Sequence, residues 1–162
     1  TGVPLPPTAE RYEHLADALE LAQRMFAGDA SPFTGRRTTA SGPVNRPLPV
    51  GRPPILVGGM GERRTLPLVA RYADACNLFD IPDGGVTVRA RLARLRELCE
   101  EVGRPYGSVE KTISTALVPG EDPASFAGRC RALAELGVEH VVVITRGRPW
   151  DVDAIAVVAA AN

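Results

Sequence analysis

Three glycines in four positions, Gly58-Gly59-Met60-Gly61, are the residues of this sequence best suited to chemistry. A backbone without Cβ atoms can approach an anion closely and can turn through positive φ. A helix that starts just behind such a loop adds unpaired N–H groups and the positive end of its dipole. Together these make a phosphate cradle, to which Arg63 or Arg64 can add charge-assisted contacts. A tight strand-to-helix turn that binds nothing is the other reading of the same residues. Pro67 constrains the geometry. A helix starting at Glu62 would hold this proline in its interior, at the cost of a hydrogen bond. The pattern therefore predicts Thr65 as N-cap with Pro67 in the first turn. The dipole then lies several residues beyond the glycines, and the loop amides carry the binding.

Other candidates follow from position. Asn77 and Asp80 fall at the C-terminal end of the next predicted strand, where side chains of parallel α/β folds meet ligands. A loop cap or turn residue is the competing role for each. Arg146, Arg148 and Trp150 follow the last predicted strand and can pair with an anionic substrate or cofactor; a solvated loop is the alternative. His14 lies on a polar helix face and His140 at a strand edge, neither with a carboxylate or nucleophile at useful spacing. Cys76, Cys99 and Cys130 are odd in number and lack metal-ligand spacing, so they read as buried free thiols. No metal site is expected, and no catalytic acid or base can be assigned.

The elements that must position these residues show in the periodicity. Tyr12, Leu15, Leu19, Ala22 and Phe26 predict one face of a helix within 1–28, with Thr8 as N-cap and Gly28 just past its end. Six prolines then make 29–54 a loop-like insertion with a short extended piece around Phe33–Thr39. From 55 to 162 the rhythm becomes strand–helix, four times over. Ile55-Leu56-Val57 leads to a helix with Leu66, Val69, Ala70 and Ala73 inward. Ala75–Phe79 leads to one with Val88, Leu92, Leu95, Cys99 and Val102 inward. Thr112–Val118 leads to a helix capped by Asp122, with Pro123 first and Phe126, Cys130 and Leu133 inward. Val138–Thr145, β-branched throughout, reads as a strand buried on both faces, before a last helix from Asp151 to Ala160. Arg89, Arg91, Arg94 and Arg96 with Glu97, Glu100 and Glu101 read as a helix surface laced with ion pairs. Repeated strand–helix units imply a parallel α/β sheet with right-handed crossovers. Both an open doubly wound sheet and half of an eight-unit barrel satisfy that pattern; a whole barrel takes about 250 residues.

With 162 residues the chain supports one domain with a core. Apolar residues are 44%, charged residues 23% and the formal net charge is zero, which points to no nucleic acid and no membrane as partner. No apolar run is long enough to span a bilayer and no signal peptide is visible, so a cytoplasmic setting is expected. The chain opens at Thr1 without an initiator Met, as a piece of something longer would.

The stretch from Arg52-Pro53-Pro54 through Ile55-Leu56-Val57, Gly58-Gly59-Met60-Gly61 and Arg64-Thr65-Leu66 to Val69-Ala70, Tyr72-Ala73-Asp74 and Asn77 resembles the luciferase-like monooxygenase superfamily. It is most similar to the branch that uses the deazaflavin coenzyme F-420. Phe33-Thr34-Gly35-Arg36 is similar to that family's insertion after its mid-chain helix, so the resemblance covers nearly the whole chain. It implies the C-terminal half of a TIM (β/α)8 barrel and an oxidoreductase with coenzyme F-420, or alternatively FMN, as cofactor. The activity implied is hydride transfer, or monooxygenation with O2 in the FMN case, on a small-molecule substrate. By position, Gly58, Gly59, Met60 and Gly61 carry over as backbone donors to the cofactor phosphate. The family's N-terminal half, which supplies most ring and substrate contacts, has no counterpart here. Two further readings stand beside the enzyme: a half-barrel without activity that binds cofactor phosphate or forms a homo-oligomer, and an open-sheet phosphate-binding module without redox function.

Overall fold

The computed structural model describes residue 2, residues 5–145 and residues 152–161. The chain divides into two compact units, Thr1–Ile55 and Leu56–Asn162.

In the first unit, helix α1 spans Thr8–Phe26. Thr8 is its first helical residue rather than its cap. Pro7 holds the cap position, without a side-chain bond, and the Thr8 hydroxyl instead accepts from Arg11. Gly28 follows the helix at φ +77°, as its place past the end requires. The proline-rich stretch contains one antiparallel pair, β1 (Phe33–Thr34) and β2 (Thr39–Ala40).

The face of α1 departs from its apolar spacing. Leu15 is exposed, and the buried residues are Leu19 and Asp17. The Asp17 carboxylate accepts three N–H bonds from the β1–β2 turn: Arg36 at 3.0 Å, Arg37 at 2.7 Å and Thr38 at 2.8 Å. Burial acts to raise its pKa, but these bonds outweigh it and hold the carboxyl below the usual range. Gly35 permits the approach, because a Cβ there would sit 2.3 Å from the Asp17 Cγ. Bonds to a charged acceptor are worth about 1.5–3 kcal/mol each. In Asp17→Ala, amide exchange at Arg36, Arg37 and Thr38 should therefore quicken by about tenfold to a hundredfold. Unchanged exchange would mean that something else holds the turn.

The second unit runs β3 (Leu56–Gly58), α2 (Thr65–Tyr72), β4 (Ala75–Phe79), α3 (Val86–Glu101), β5 (Glu110–Thr115), α4 (Pro123–Glu135), β6 (His140–Val143) and α5 (Val152–Ala160). All four strands are parallel, in the order β3-β4-β5-β6. Each new strand adds beside its predecessor, as around a barrel; a doubly wound sheet would reverse its order at a switch point.

Local chemistry explains the elements. Pro67 is the third residue of α2, within its first turn, where its missing N–H has no partner to lose; Thr65 is the first helical residue rather than the cap, a position that Arg64 holds without a side-chain bond. Asp122 caps α4 by accepting the Ser125 N–H at 3.0 Å, and Pro123 is the first helical residue. On α3, Val88, Leu92, Leu95 and Cys99 are buried as their spacing demands, and Leu98 joins them. Val102 does not: it sits at the C-cap, exposed. Two strands are shorter than their apolar runs suggest. β5 stops at Thr115, because a turn closes where the Glu121 N–H meets the Val118 carbonyl at 2.9 Å. β6 covers only His140–Val143 of the run from Val138 to Thr145.

Alternation sorts the sheet's side chains. Cys76 and Leu78 of β4 and Ile113 of β5 are buried in the core of this unit, with the inner faces of α2, α3 and α4 also buried. Lys111 shares their face of the sheet. It is buried, with its Nζ 2.9 Å from the Glu139 carboxylate and 4.9 Å from the Tyr106 ring centre. On the opposite face, Leu56 is 53% exposed, Phe79 49% and Val142 37%. β6 is thus not buried on both sides as its composition suggests: Val142 is 37% exposed on that face. Cys76 and Cys99 are buried free thiols, while Cys130 is only half-buried. Burial pushes the Cys76 thiol up to about 11. Among the described residues, no helix is long and apolar enough to cross a membrane, and no cluster of His, Cys, Asp and Glu could hold a metal ion.

Candidate cofactor site

The glycine loop leaves the sheet at the C-terminal end of β3. Gly58 is the last strand residue and pairs in register with Asn77. A Cβ added to Gly58 would meet no atom within 4 Å. Gly59 and Gly61 are small for a different reason. A Cβ on Gly59 would lie 3.2 Å from Thr65 Cγ2, and one on Gly61 would lie 3.0 Å from Thr65 Oγ1. Gly59 also has φ +126°, a conformation that side chains rarely adopt. These two glycines let the loop fold onto Thr65, whereas Gly58 leaves room outside the protein.

The loop's amides divide in the same way. The Gly59 N–H donates to the Asn77 carbonyl at 2.9 Å, extending the sheet by one bond. The first N–H groups of α2, those of Thr65 and Leu66, both donate to the Gly61 carbonyl at 3.0 Å. The helix is thereby drawn close to the glycines, with its leading donors already used. The N–H groups of Met60, Gly61, Glu62 and Arg63 have no carbonyl partner among the described residues. The Met60 thioether accepts the Phe79 N–H at 3.4 Å, and the Glu62 carboxylate pairs with Arg91 of α3. The loop is thus tied to the end of β4 and to the following helix.

Asn77 and Asp80, both predicted for this rim, have different surroundings. Asn77 lies on the uncovered face beside Gly58, and its Oδ1 accepts the Ser114 hydroxyl at 3.0 Å. The Asp80 Oδ2 accepts the Thr115 hydroxyl at 2.7 Å and an Arg129 N–H at 2.9 Å. Arg129, on α4, also donates to Thr115 Oγ1, to the Ala116 carbonyl at 3.0 Å, and to both Glu121 oxygens at 2.7 and 2.9 Å. This bidentate contact holds the Glu121 carboxyl below its usual range against the opposing effect of burial. Arg146, Arg148 and Trp150 lie outside the described residues. His14 and His140 are exposed; His140 stands 3.7 Å from Glu110.

Ser114, Thr115, Glu121 and Arg129 were not singled out by their spacing. A signal was present: Thr112, Ser114 and Thr115 put three hydroxyls into a strand that is otherwise buried, and buried polar groups need partners.

Comparison with known proteins bears on the fold and the family. A curated relative, the F420-dependent glucose-6-phosphate dehydrogenase of Kineococcus radiotolerans, is 28% identical over 141 residues, which make up 85% of this chain and 40% of the relative. The same-named protein of Rhodococcus hoagii is 23% identical over 137 residues, 82% of this chain and 39% of the relative. The chain thus spans about two fifths of the length of the curated relatives it matches. Among solved structures, an F420-dependent secondary alcohol dehydrogenase in complex with an F420-acetone adduct superposes with TM-score 0.71 at 14% identity, over 86% of this chain and 58% of that one. The EDTA monooxygenase of Chelativorans sp. BNC1 gives TM-score 0.60 at 22% identity, over 83% and 36%. These neighbours are TIM-barrel enzymes, and the four parallel units seen here are the C-terminal half of such a barrel. The family model for luciferase-like monooxygenases matches residues 1–138, and the chain belongs to that family.

Proposed function

We propose that this chain supplies the cofactor-phosphate side of an oxidoreductase that uses coenzyme F-420 on a small-molecule substrate. The observation that carries the reading is the pairing of unfilled space beyond Gly58 with the partnerless amides of Met60, Gly61, Glu62 and Arg63. That is the donor set a phosphate needs, at the end of a parallel strand where such ligands sit. The curated relatives are F420-dependent by name, which favours the deazaflavin. FMN is the second reading, supported by the likeness to a riboflavin lyase solved with modified FMN. Both cofactors carry a ribityl phosphate, so one cradle suits either.

When bound, such a cofactor supplies hydride transfer or, as reduced FMN, activation of O2. The chain's own residues bind and orient it. Gly58 gives clearance, Gly59 and Gly61 shape the turn, and the amides from Met60 onward hold the phosphate. Asn77 presents a side-chain amide beside Gly58. Asp80, gripped by Thr115 and Arg129, keeps the ends of β4 and β5 together.

The test is titration of the protein's full chain with coenzyme F-420 and with FMN, followed by absorbance. A tight complex with a shifted deazaflavin band is expected. Spectra unchanged by both cofactors would sink the redox reading and favour a phosphate-binding module.

A further inference from the structure

If the glycine loop holds the cofactor phosphate, a residue outside the loop also acts on that ligand. Ser114 lies on β5, one strand removed from the glycine loop. Its side chain is buried, yet its hydroxyl makes one bond, to Asn77 Oδ1 at 3.0 Å. Asn77 is half-buried on the same face. With Oδ1 engaged, the Asn77 Nδ2 group has two N–H donors and no acceptor among the described residues. Gly58 is the residue paired with Asn77 in the register, across a strand spacing of about 4.8 Å. Among the described residues, a Cβ added to Gly58 would meet no atom within 4 Å beyond its chain neighbours. A side-chain amide with its oxygen pinned and its nitrogen unspent thus stands beside Gly58, which, unlike Gly59 and Gly61 of the same loop, leaves open space where a side chain would be.

We propose that Ser114 is a positioning residue: by holding Asn77 Oδ1, it fixes the amide so that Nδ2 donates to the ribityl-phosphate portion of the cofactor lying over Gly58. An amide can rotate by half a turn and present an acceptor in place of a donor. Next to an anion or its hydroxyl-bearing chain, the wrong orientation opposes oxygen to oxygen. The Ser114 hydroxyl removes that choice before the ligand arrives. Asp80, one residue past the end of β4, cannot serve in this way, because a carboxylate has no N–H to donate and its Oδ2 is held by Thr115 and Arg129.

The experiment measures dissociation constants for coenzyme F-420, FMN and riboflavin in the full chain, for Ser114→Ala, Ser114→Thr, Asn77→Leu and the double variant Ser114→Ala/Asn77→Leu. Circular dichroism and thermal melting accompany each. Ser114→Ala and Asn77→Leu should each weaken the phosphate-bearing cofactor about tenfold. The double variant should be no weaker than Asn77→Leu alone, since the serine acts only through the asparagine. Ser114→Thr, which keeps the hydroxyl, should restore binding. Additive losses in the double variant, or wild-type affinity in Ser114→Ala, would overturn the proposal and leave the glycine cradle standing. Failure of the cradle is a separate result: the unaltered protein would then bind none of the three ligands, or would bind riboflavin as tightly as FMN.

Discussion

Gly58→Val should lower affinity for coenzyme F-420 and FMN by at least about a hundredfold and leave the fold in place. The first half of this expectation follows from steric exclusion. The valine side chain would occupy the space a phosphate must enter to reach the amides of Met60 through Arg63. Two lost bonds to a charged acceptor, at about 1.5 kcal/mol each, already exceed a hundredfold. The second half follows from the environment. No protein atom stands within 4 Å of the new Cβ, and Gly58 is a strand residue without positive φ, a conformation valine favours. The melting temperature should therefore move by no more than about 4 °C, the equivalent of roughly 1 kcal/mol or less. Gly59→Val is a poor substitute, since its φ of +126° would strain any side chain and its Cβ would press on Thr65. Calorimetric titration of Gly58→Val with both cofactors decides the matter. Wild-type affinity in a folded variant would show that the phosphate sits elsewhere.

The second large effect concerns stability. Arg129→Leu should cost about 3–5 kcal/mol at neutral pH, the usual result of stripping a buried carboxylate of its partner. The Glu121 side chain is only 6% exposed, and both its oxygens accept from Arg129. The pH dependence has a definite sign. The Glu121 pKa is lowered in the folded protein, chiefly by the Arg129 bonds. Its contribution is therefore complete above the unfolded value of about 4.3 and is lost as pH falls through the folded pKa. In the variant the carboxyl has no such partner and gains by protonation. The gap between the two proteins should be widest near pH 7 and shrink below about pH 4. Urea unfolding at pH 7 and pH 3.5 measures it. An equal gap at both values would mean that Arg129 acts through packing rather than through Glu121.

Much of the second unit was legible because its cues are local. Asp122-Pro123 starts α4 with a cap and a fixed φ, and the spacing of Val88, Leu92, Leu95 and Cys99 faces α3 inward. The position of Pro67 placed the start of α2 to within one residue, with Arg64 rather than Thr65 at the cap. Two architectures fitted the same alternation, and strand order, a long-range property, distinguishes them. The burial of Asp17 was not legible, because an aspartate on a helix reads as solvated unless its partners, 19 to 21 residues away, are known to fold back on it. Within the loop, sequence located the glycines but did not divide their work. Only the backbone path shows that the Gly59 amide belongs to the sheet and that Gly61 offers its carbonyl to α2.

The alternation of β5 has a consequence for how this protein can change. Ser114 and Thr115 are adjacent in the chain yet serve opposite sides of the sheet: one touches Asn77, the other Asp80 and Arg129. A drift in the molecules accepted at the rim can therefore be explored through every second residue, while its immediate neighbours keep the scaffold intact. Libraries confined to positions 77, 79, 114 and 142 would sample new ligands with less toll on folding than those at 78, 113 and 115, which would mostly yield collapsed or aggregated chains.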